Sequence, residues 1–209
     1  MSIDKVGVLE WLRRSKIVPV VRASSPEDAL QMVDALVEGG INVLEITMTI
    51  PSGIEVIRDL STRPNLLVGA GTVLDAATAE SCIEAGAKFV VSPALDVATV
   101  RFCNQASVLV APGALTPTEI LAAHKAGGDV IKVFPCDALG GAQYLRSLRA
   151  PLPHIPLMPT GGVTLATIRD FLSTGAIAVG IGSALADPKL STGELVERAR
   201  AFRDTAEVS

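Results

Sequence analysis

The feature that most constrains this chain is an alternation that runs its whole length: aliphatic runs exchange with amphipathic segments eight times. Ile17-Val18-Pro19-Val20-Val21-Arg22 is the first run and Asn42-Val43-Leu44-Glu45-Ile46-Thr47 the second. Runs at 66–70, 89–92, 108–111, 129–135, 155–159 and 176–180 follow, at intervals of about 20 to 27 residues. Runs with no alternating polar face suit strands buried on both sides. Helix signals fill the gaps. Ser25-Pro26-Glu27-Asp28 supplies a cap, a proline and first-turn acids, and Thr116-Pro117-Thr118-Glu119 is a capping-box pattern. Gly39-Gly40, Gly86 and Gly127-Gly128 mark helix ends.

Strands separated by helices are parallel and joined by right-handed crossovers. Eight such units with no long insertion predict an α/β fold, a single-domain (β/α)8 TIM barrel over residues 1–209. A short N-terminal helix is expected over about 4–15 and a closing helix over about 193–205, with residues 206–209 frayed. A doubly wound open sheet is the alternative, although no G-x-G-x-x-G follows the first strand. Aromatics make up 3% of the chain, so its core must be built from Val, Ile, Leu and Ala.

Against this apolar pattern a few polar residues stand out, all at the carboxyl ends of expected strands, where barrel enzymes carry their chemistry. Lys132 lies in Val130-Ile131-Lys132-Val133-Phe134-Pro135, on the same strand face as Val130 and Phe134. An ammonium in such a run is either a packed stem with a solvated head or an amine used as a nucleophile toward a carbonyl. Glu45 interrupts the second run, on the face of Val43 and Thr47. Arg22 ends the first run, Thr72 follows Gly69-Ala70-Gly71, and Thr160 precedes Gly161-Gly162. Gly161-Gly162 and Gly180-Ile181-Gly182-Ser183 follow the last two strands, the loops that hold phosphate in this architecture through backbone N–H groups. The competing explanation is that these glycines only turn the chain.

Other classes fit less well. The formal charge of -4, with both signs spread along the chain, gives no basis for a nucleic-acid partner. No apolar run approaches the length of a membrane span, and residues 1–16 lack a secretory apolar segment. Three cysteines without ligand spacing, Cys82, Cys103 and Cys136, read as reduced thiols of a cytoplasmic protein. Cys136 reads as packing, and His124 and His154 as surface residues, with no metal cluster around them.

The motifs together resemble the 2-keto-3-deoxy-6-phosphogluconate (KDPG) / 4-hydroxy-2-oxoglutarate aldolases, from about residue 17 to 186. The resemblance rests on Pro19-Val20-Val21-Arg22, Leu44-Glu45-Ile46-Thr47, Gly69-Ala70-Gly71-Thr72-Val73, Val91-Ser92-Pro93, Thr116-Pro117-Thr118-Glu119, Ile131-Lys132-Val133-Phe134-Pro135, Pro159-Thr160-Gly161-Gly162 and Gly182-Ser183. It implies a class I aldolase on a (β/α)8 barrel, a homotrimer needing no metal or cofactor. The reaction it implies is cleavage of KDPG to pyruvate and glyceraldehyde 3-phosphate. The same chemistry on 4-hydroxy-2-oxoglutarate or the galactonate epimer is the alternative, and a phosphate-sugar isomerase or epimerase a more distant one. By resemblance Lys132 forms the Schiff base and Glu45 is the general acid/base. Arg22, Thr72 and Thr160 would bind substrate, with Gly161, Gly162, Gly182 and Ser183 around the phosphate. One departure stands out: many members carry an arginine in the loop where this chain has Met48-Thr49-Ile50-Pro51.

Overall fold

The computed structural model describes residues 3–208. In chain order the elements are α1 (Lys5–Ser15), β1 (Ile17–Val21), α2 (Pro26–Glu38), β2 (Val43–Thr47), α3 (Gly53–Ser61), β3 (Leu67–Gly71), α4 (Ala76–Glu84), β4 (Phe89–Val91), α5 (Val97–Gln105), β5 (Leu109–Ala111), β6 (Gly113–Ala114), α6 (Pro117–Lys125), β7 (Ile131–Val133), a 3-10 turn (Cys136–Leu139), α7 (Ala142–Arg149), β8 (Leu157–Pro159), α8 (Ile168–Leu172), β9 (Val179–Ile181) and α9 (Thr192–Glu207). All pairings are parallel, in the orders β5-β4-β3-β2-β1-β9 and β6-β7-β8. The two sheets meet at two seams. At one, β5 runs into β6 through Pro112, whose carbonyl accepts from Lys132 N at 3.0 Å. At the other, Thr160 and Gly180 form a parallel bridge, and Ile177 N donates to Leu157 O at 3.0 Å.

Local chemistry sets most helix starts. Ser25 accepts from Asp28 N, Asp75 from Thr78 N and Asp96 from Thr99 N. Thr116 with Glu119, and Ser191 with Glu194, complete capping boxes. These caps hold four carboxyls below the usual carboxylate range: Asp75 and Glu119 chiefly by accepting from backbone N–H, and Asp96 and Glu194 chiefly by accepting from the Thr99 and Ser191 hydroxyls.

Several expectations are corrected. Pro112 has no N–H to donate, so the fifth strand is broken into β5 and β6. In the run over 129–135 only Ile131–Val133 is strand, and the unanticipated 3-10 turn follows it. Helix α8 begins at Ile168 rather than Thr164, because Thr167 Oγ1 accepts from Thr164 N and donates to Gly162 O, tying 162–167 into a turn. The chain end is not frayed over 206–207: α9 runs to Glu207, with Ala206 buried, while Ser209 lies outside the described residues.

Side-chain parity divides the apolar residues in two. One set, including Ile17, Leu44, Ile46 and Val68, packs between strands and helices. The other faces the opposite way and includes Val18, Val43, Leu67, Val130 and Met158, joined by Val8 and Leu12 of α1. Helix α1 therefore closes the amino end of the strands' inner face. Lys5 fastens it there, with Nζ 2.8 Å from both Asp129 Oδ2 and Asn104 Oδ1. Asp129 Oδ2 also accepts from Val110 N at 2.9 Å.

Candidate active site

The inner face changes character toward the carboxyl ends of the strands. Lys132 pairs in register with Gly113 and Met158, and Glu45 with Val20 and Gly69. Both charged residues thus take the inward parity of Val130 and Val43. They are almost fully buried, Lys132 at 3% exposure and Glu45 at 0%, and Lys132 Nζ lies 3.8 Å from Glu45 Oε1. The snorkelling alternative for this lysine is thereby excluded: its head is inside.

The pair is charge-complementary but not hydrogen-bonded, since 3.8 Å exceeds a hydrogen-bond distance. Among the described residues neither Glu45 oxygen has a hydrogen-bond partner, and Thr160 Oγ1, also buried, has none. Leaving such groups unfilled costs about 1–3 kcal/mol each, more for a charge. A fold tolerates that where a ligand supplies the partners. The Phe134 ring stands 5.2 Å from Lys132 Nζ and adds a cation–π contact. Below, the Phe89 ring occupies the space a side chain at Gly69 would need.

Small residues make room for these groups. A Cβ on Gly71 would overlap the Glu45 carboxyl, and one on Gly180 would overlap the Thr160 side chain. Gly180 lies within β9 rather than in a loop, so close packing and not anion binding explains it. Arg22 follows β1, is exposed, and its guanidinium lies 3.5 Å from where a Gly182 Cβ would stand. Thr72 sits just past β3 in a left-handed conformation, φ 57°, a state uncommon for a branched residue outside functional sites. Ser183 is exposed beside Gly182. Thr72 and Ser183 share the carboxyl ends of the strands with the Lys132–Glu45 pair, without a hydrogen bond to it.

The Gly161-Gly162 turn carries a surprise. Both glycines have positive φ, and a methyl on Gly161 would lie 2.6 Å from Asp137 Oδ1, in the 3-10 turn after β7. The residue types there answer to the packing of Asp137 as well as to any anion. Sequence reasoning missed Asp137, because nothing in 129–140 marks it as facing residues two dozen positions later. The loop after β2 is also defined. Thr47 Oγ1 donates to Val21 O at 2.9 Å, so the 2.8 Å contact between Thr49 and Thr47 has Thr49 as donor.

The other candidates do not join the site. Cys136 is fully buried, and burial pushes its thiol up to about 12. His124 and His154 pack edge to face, centroids 5.9 Å apart, with His124 Nδ1 buried and without a hydrogen-bond partner among the described residues. His124 is thus not a plain surface residue. Among the described residues no group of three or more His, Cys, Asp or Glu is placed to hold a metal ion, and no helix is long and apolar enough to cross a membrane.

A buried lysine beside an unpartnered carboxylate on a curled parallel α/β sheet agrees with the comparisons with known proteins. Residues 8–200 match the family "Aldolase: KDPG and KHG aldolase". The chain belongs to this family. It is 36% identical over 191 residues to the 2-dehydro-3-deoxy-phosphogluconate aldolase of Haemophilus influenzae, covering 91% of this chain and 90% of that protein. Identity to the protein of the same name from Pseudomonas aeruginosa is 40% over 162 residues, 77% and 74% of the two chains. The crystal structure of 2-keto-3-deoxy-6-phospho-gluconate aldolase from Zymomonas mobilis superposes with a TM-score of 0.85 at 29% identity, covering 93% of this chain and 96% of that one.

Proposed function

We propose that this protein is a class I aldolase, an aldehyde-lyase that cleaves KDPG to pyruvate and glyceraldehyde 3-phosphate. The observation that carries the proposal is the buried Lys132–Glu45 pair at 3.8 Å, whose carboxylate accepts no hydrogen bond among the described residues. Lys132 Nζ adds to the C2 carbonyl of the substrate and water leaves, giving a protonated imine. Glu45 takes the C4 hydroxyl proton, directly or through a water, and the C3–C4 bond breaks. The aldehyde departs, and the electron pair remains as an enamine conjugated to the imine nitrogen. Protonation at C3 and hydrolysis then release pyruvate and restore the amine.

Around this centre, Thr72, Thr160 and Arg22 bind substrate, and the turns at Gly161, Gly162, Gly182 and Ser183 receive its phosphate. No metal or cofactor takes part in these steps. We further propose that the strands form a closed eight-stranded (β/α)8 barrel in a single domain. The two seams at Pro112 and at Thr160–Gly180 support closure, with β5 and β6 counted as one strand. The family resemblance supports a homotrimer in the cytoplasm.

Borohydride reduction in the presence of pyruvate tests the reading. A stable pyruvate adduct is expected on the Lys132 peptide, and on no peptide in Lys132→Arg. An unmodified wild type, under conditions that trap a known Schiff-base aldolase, would falsify it. The family also takes in KHG aldolases, and a solved relative is a 4-hydroxy-2-oxoglutarate aldolase. Turnover of that acid and of the galactonate epimer beside KDPG ranks the three.

A further inference from the structure

A cavity of about 420 Å³ lies at the amino ends of β8 and β9, away from the Lys132–Glu45 pair, between the end of α1 and the α7–β8 and α8–β9 connections. Its rim is basic. Arg13 and Lys16 come from the end of α1, Arg149 from the last turn of α7, and His154 from the connection into β8. Its walls are apolar, built by Ile155, Leu172 and Ile177. Although the chain has a net charge of -4, no Asp or Glu is among the described residues that line this cavity. The helix dipole explains a cation at the end of α1 and another at the end of α7. It does not explain why the two meet across one cavity, with a third cation and an imidazole beside them.

Arg149 is held in place without being used up. Its Nη1 and Nη2 donate to Ile155 O and Pro153 O at 3.4 Å each, long for such bonds. Both acceptors are carbonyls, so among the described residues the guanidinium has no carboxylate partner. Gly175, at φ 83°, lets it lie close to the backbone: a Cβ there would stand 3.2 Å from Nη2. The Arg13–Glu10 pair is exposed and carries little weight. Lys16 Nζ is anchored on Ala206 O at 2.9 Å, and the His124 ring packs against the His154 ring.

From this we propose that the cavity is a binding site, separate from the active site, for a small organic phosphate: a phosphate monoester carried on an apolar body. Cations gathered without a carboxylate repel one another, and a dianion among them removes that repulsion. Arg149 offers the planar pair of N–H donors that takes a phosphate bidentately, while Arg13 and Lys16 add charge. A cavity of this size holds a ligand of metabolite size, and its apolar walls cover the carbon body. A bare inorganic ion would engage the rim and leave the walls idle. The site stands independently of the aldolase reading, because none of its residues takes part in that chemistry.

The chain has two histidines, so the His154 ring resonance, followed by NMR in the full chain at constant pH, reports on the cavity. Phenyl phosphate is the probe, with inorganic phosphate, phenylacetate and phenol as comparisons. Phenyl phosphate is expected to shift the His154 signal saturably and to bind on the order of tenfold tighter than each comparison. Arg149→Met and Arg13→Glu should each weaken it on the order of tenfold or more, and added salt should weaken it too. Arg13 is exposed, so Arg13→Glu keeps the test open even if Arg149→Met fails to fold. Arg22→Met, at the other end of the strands, should leave the His154 titration unchanged, and kcat/KM for KDPG should hold in the two cavity variants. The absence of a saturable shift, a shift that both cavity variants leave intact, its loss in Arg22→Met, or equal binding of phenol would overturn the site. Equal binding of inorganic phosphate or of phenylacetate would overturn its assignment to an organic phosphate.

Discussion

The two ends of the strands' inner face are built on opposite principles. At the amino end, Val8 and Leu12 of α1 lie on Val18, Val43 and Val130, and the charged groups nearby are engaged: Lys5 with Asp129 and Asn104. At the carboxyl end, Lys132 and Glu45 face each other without a hydrogen bond, and among the described residues Thr160 Oγ1 is unpartnered and Arg22 and Asp137 have no ion pair. Apolar burial stabilises the first end, while the second keeps polar groups in wait. The physical lesson is that a site must hold back interactions that would otherwise stabilise the fold.

This division predicts that substitutions at one end reach activity and at the other stability. The largest effect is expected from Glu45→Gln, which should lower kcat for KDPG cleavage by about 10²–10⁴. Its loss of unfolding free energy in a denaturant titration should be smaller than in either amino-end variant. A large loss of stability with normal turnover would reverse the assignment of the two ends. Next comes Leu12→Ala, a cavity at a residue 1% exposed. It should cost about 2–5 kcal/mol of stability, with kcat/KM at ambient temperature held within about twofold of wild type. Asp129→Ala should cost about 1–3 kcal/mol, because Val110 N–H and the Lys5 ammonium lose an acceptor. It lies three positions before Lys132, so intact turnover there would show how independent the two ends are.

The smallest effect concerns the thiols. Burial raises Cys82 and Cys103 to about 11 and Cys136 to about 12, from 9.0. Cys136 follows the site strand and the other two sit on outer helices, yet all three should resist a thiol reagent near about pH 8 until the protein unfolds. An unfolded thiol loses its proton before these folded ones do. Their contribution to stability is therefore complete below pH 9.0, and is lost as pH rises through 11 to 12. Rapid labelling of folded Cys136 would mean that the carboxyl end opens to solvent more than its packing implies.

Much of the site was legible because polar residues in aliphatic runs are conspicuous. Lys132 and Glu45 are each flanked by β-branched or aliphatic neighbours, so burial and parity could be inferred from one strand at a time. Helix starts were legible where caps are local, as at Ser25 and Thr116. Inference failed where the deciding contact was a side-chain bond outside the usual capping patterns, or was distant in sequence. Thr164–Thr167 has a helical sequence but is held in a turn by Thr167. Gly180 looked like part of an anion loop, yet it is a strand residue making room for Thr160.

The sequence alone therefore determined the class of fold, the parallel alternation of strands and helices, and which amine and carboxylate interrupt the apolar runs of the strands. Those properties follow from periodicity and from the cost of burying charge, which act within a few residues. Only the tertiary structure decided that Lys132 and Glu45 stand 3.8 Å apart, that α1 closes the amino end, and that Arg22 meets Gly182 while Asp137 meets Gly161. The contacts of Lys132, Arg22 and Asp137 join residues from 24 to 160 positions apart. They depend on strand register and on how loops pack across neighbouring strands, which no local pattern encodes.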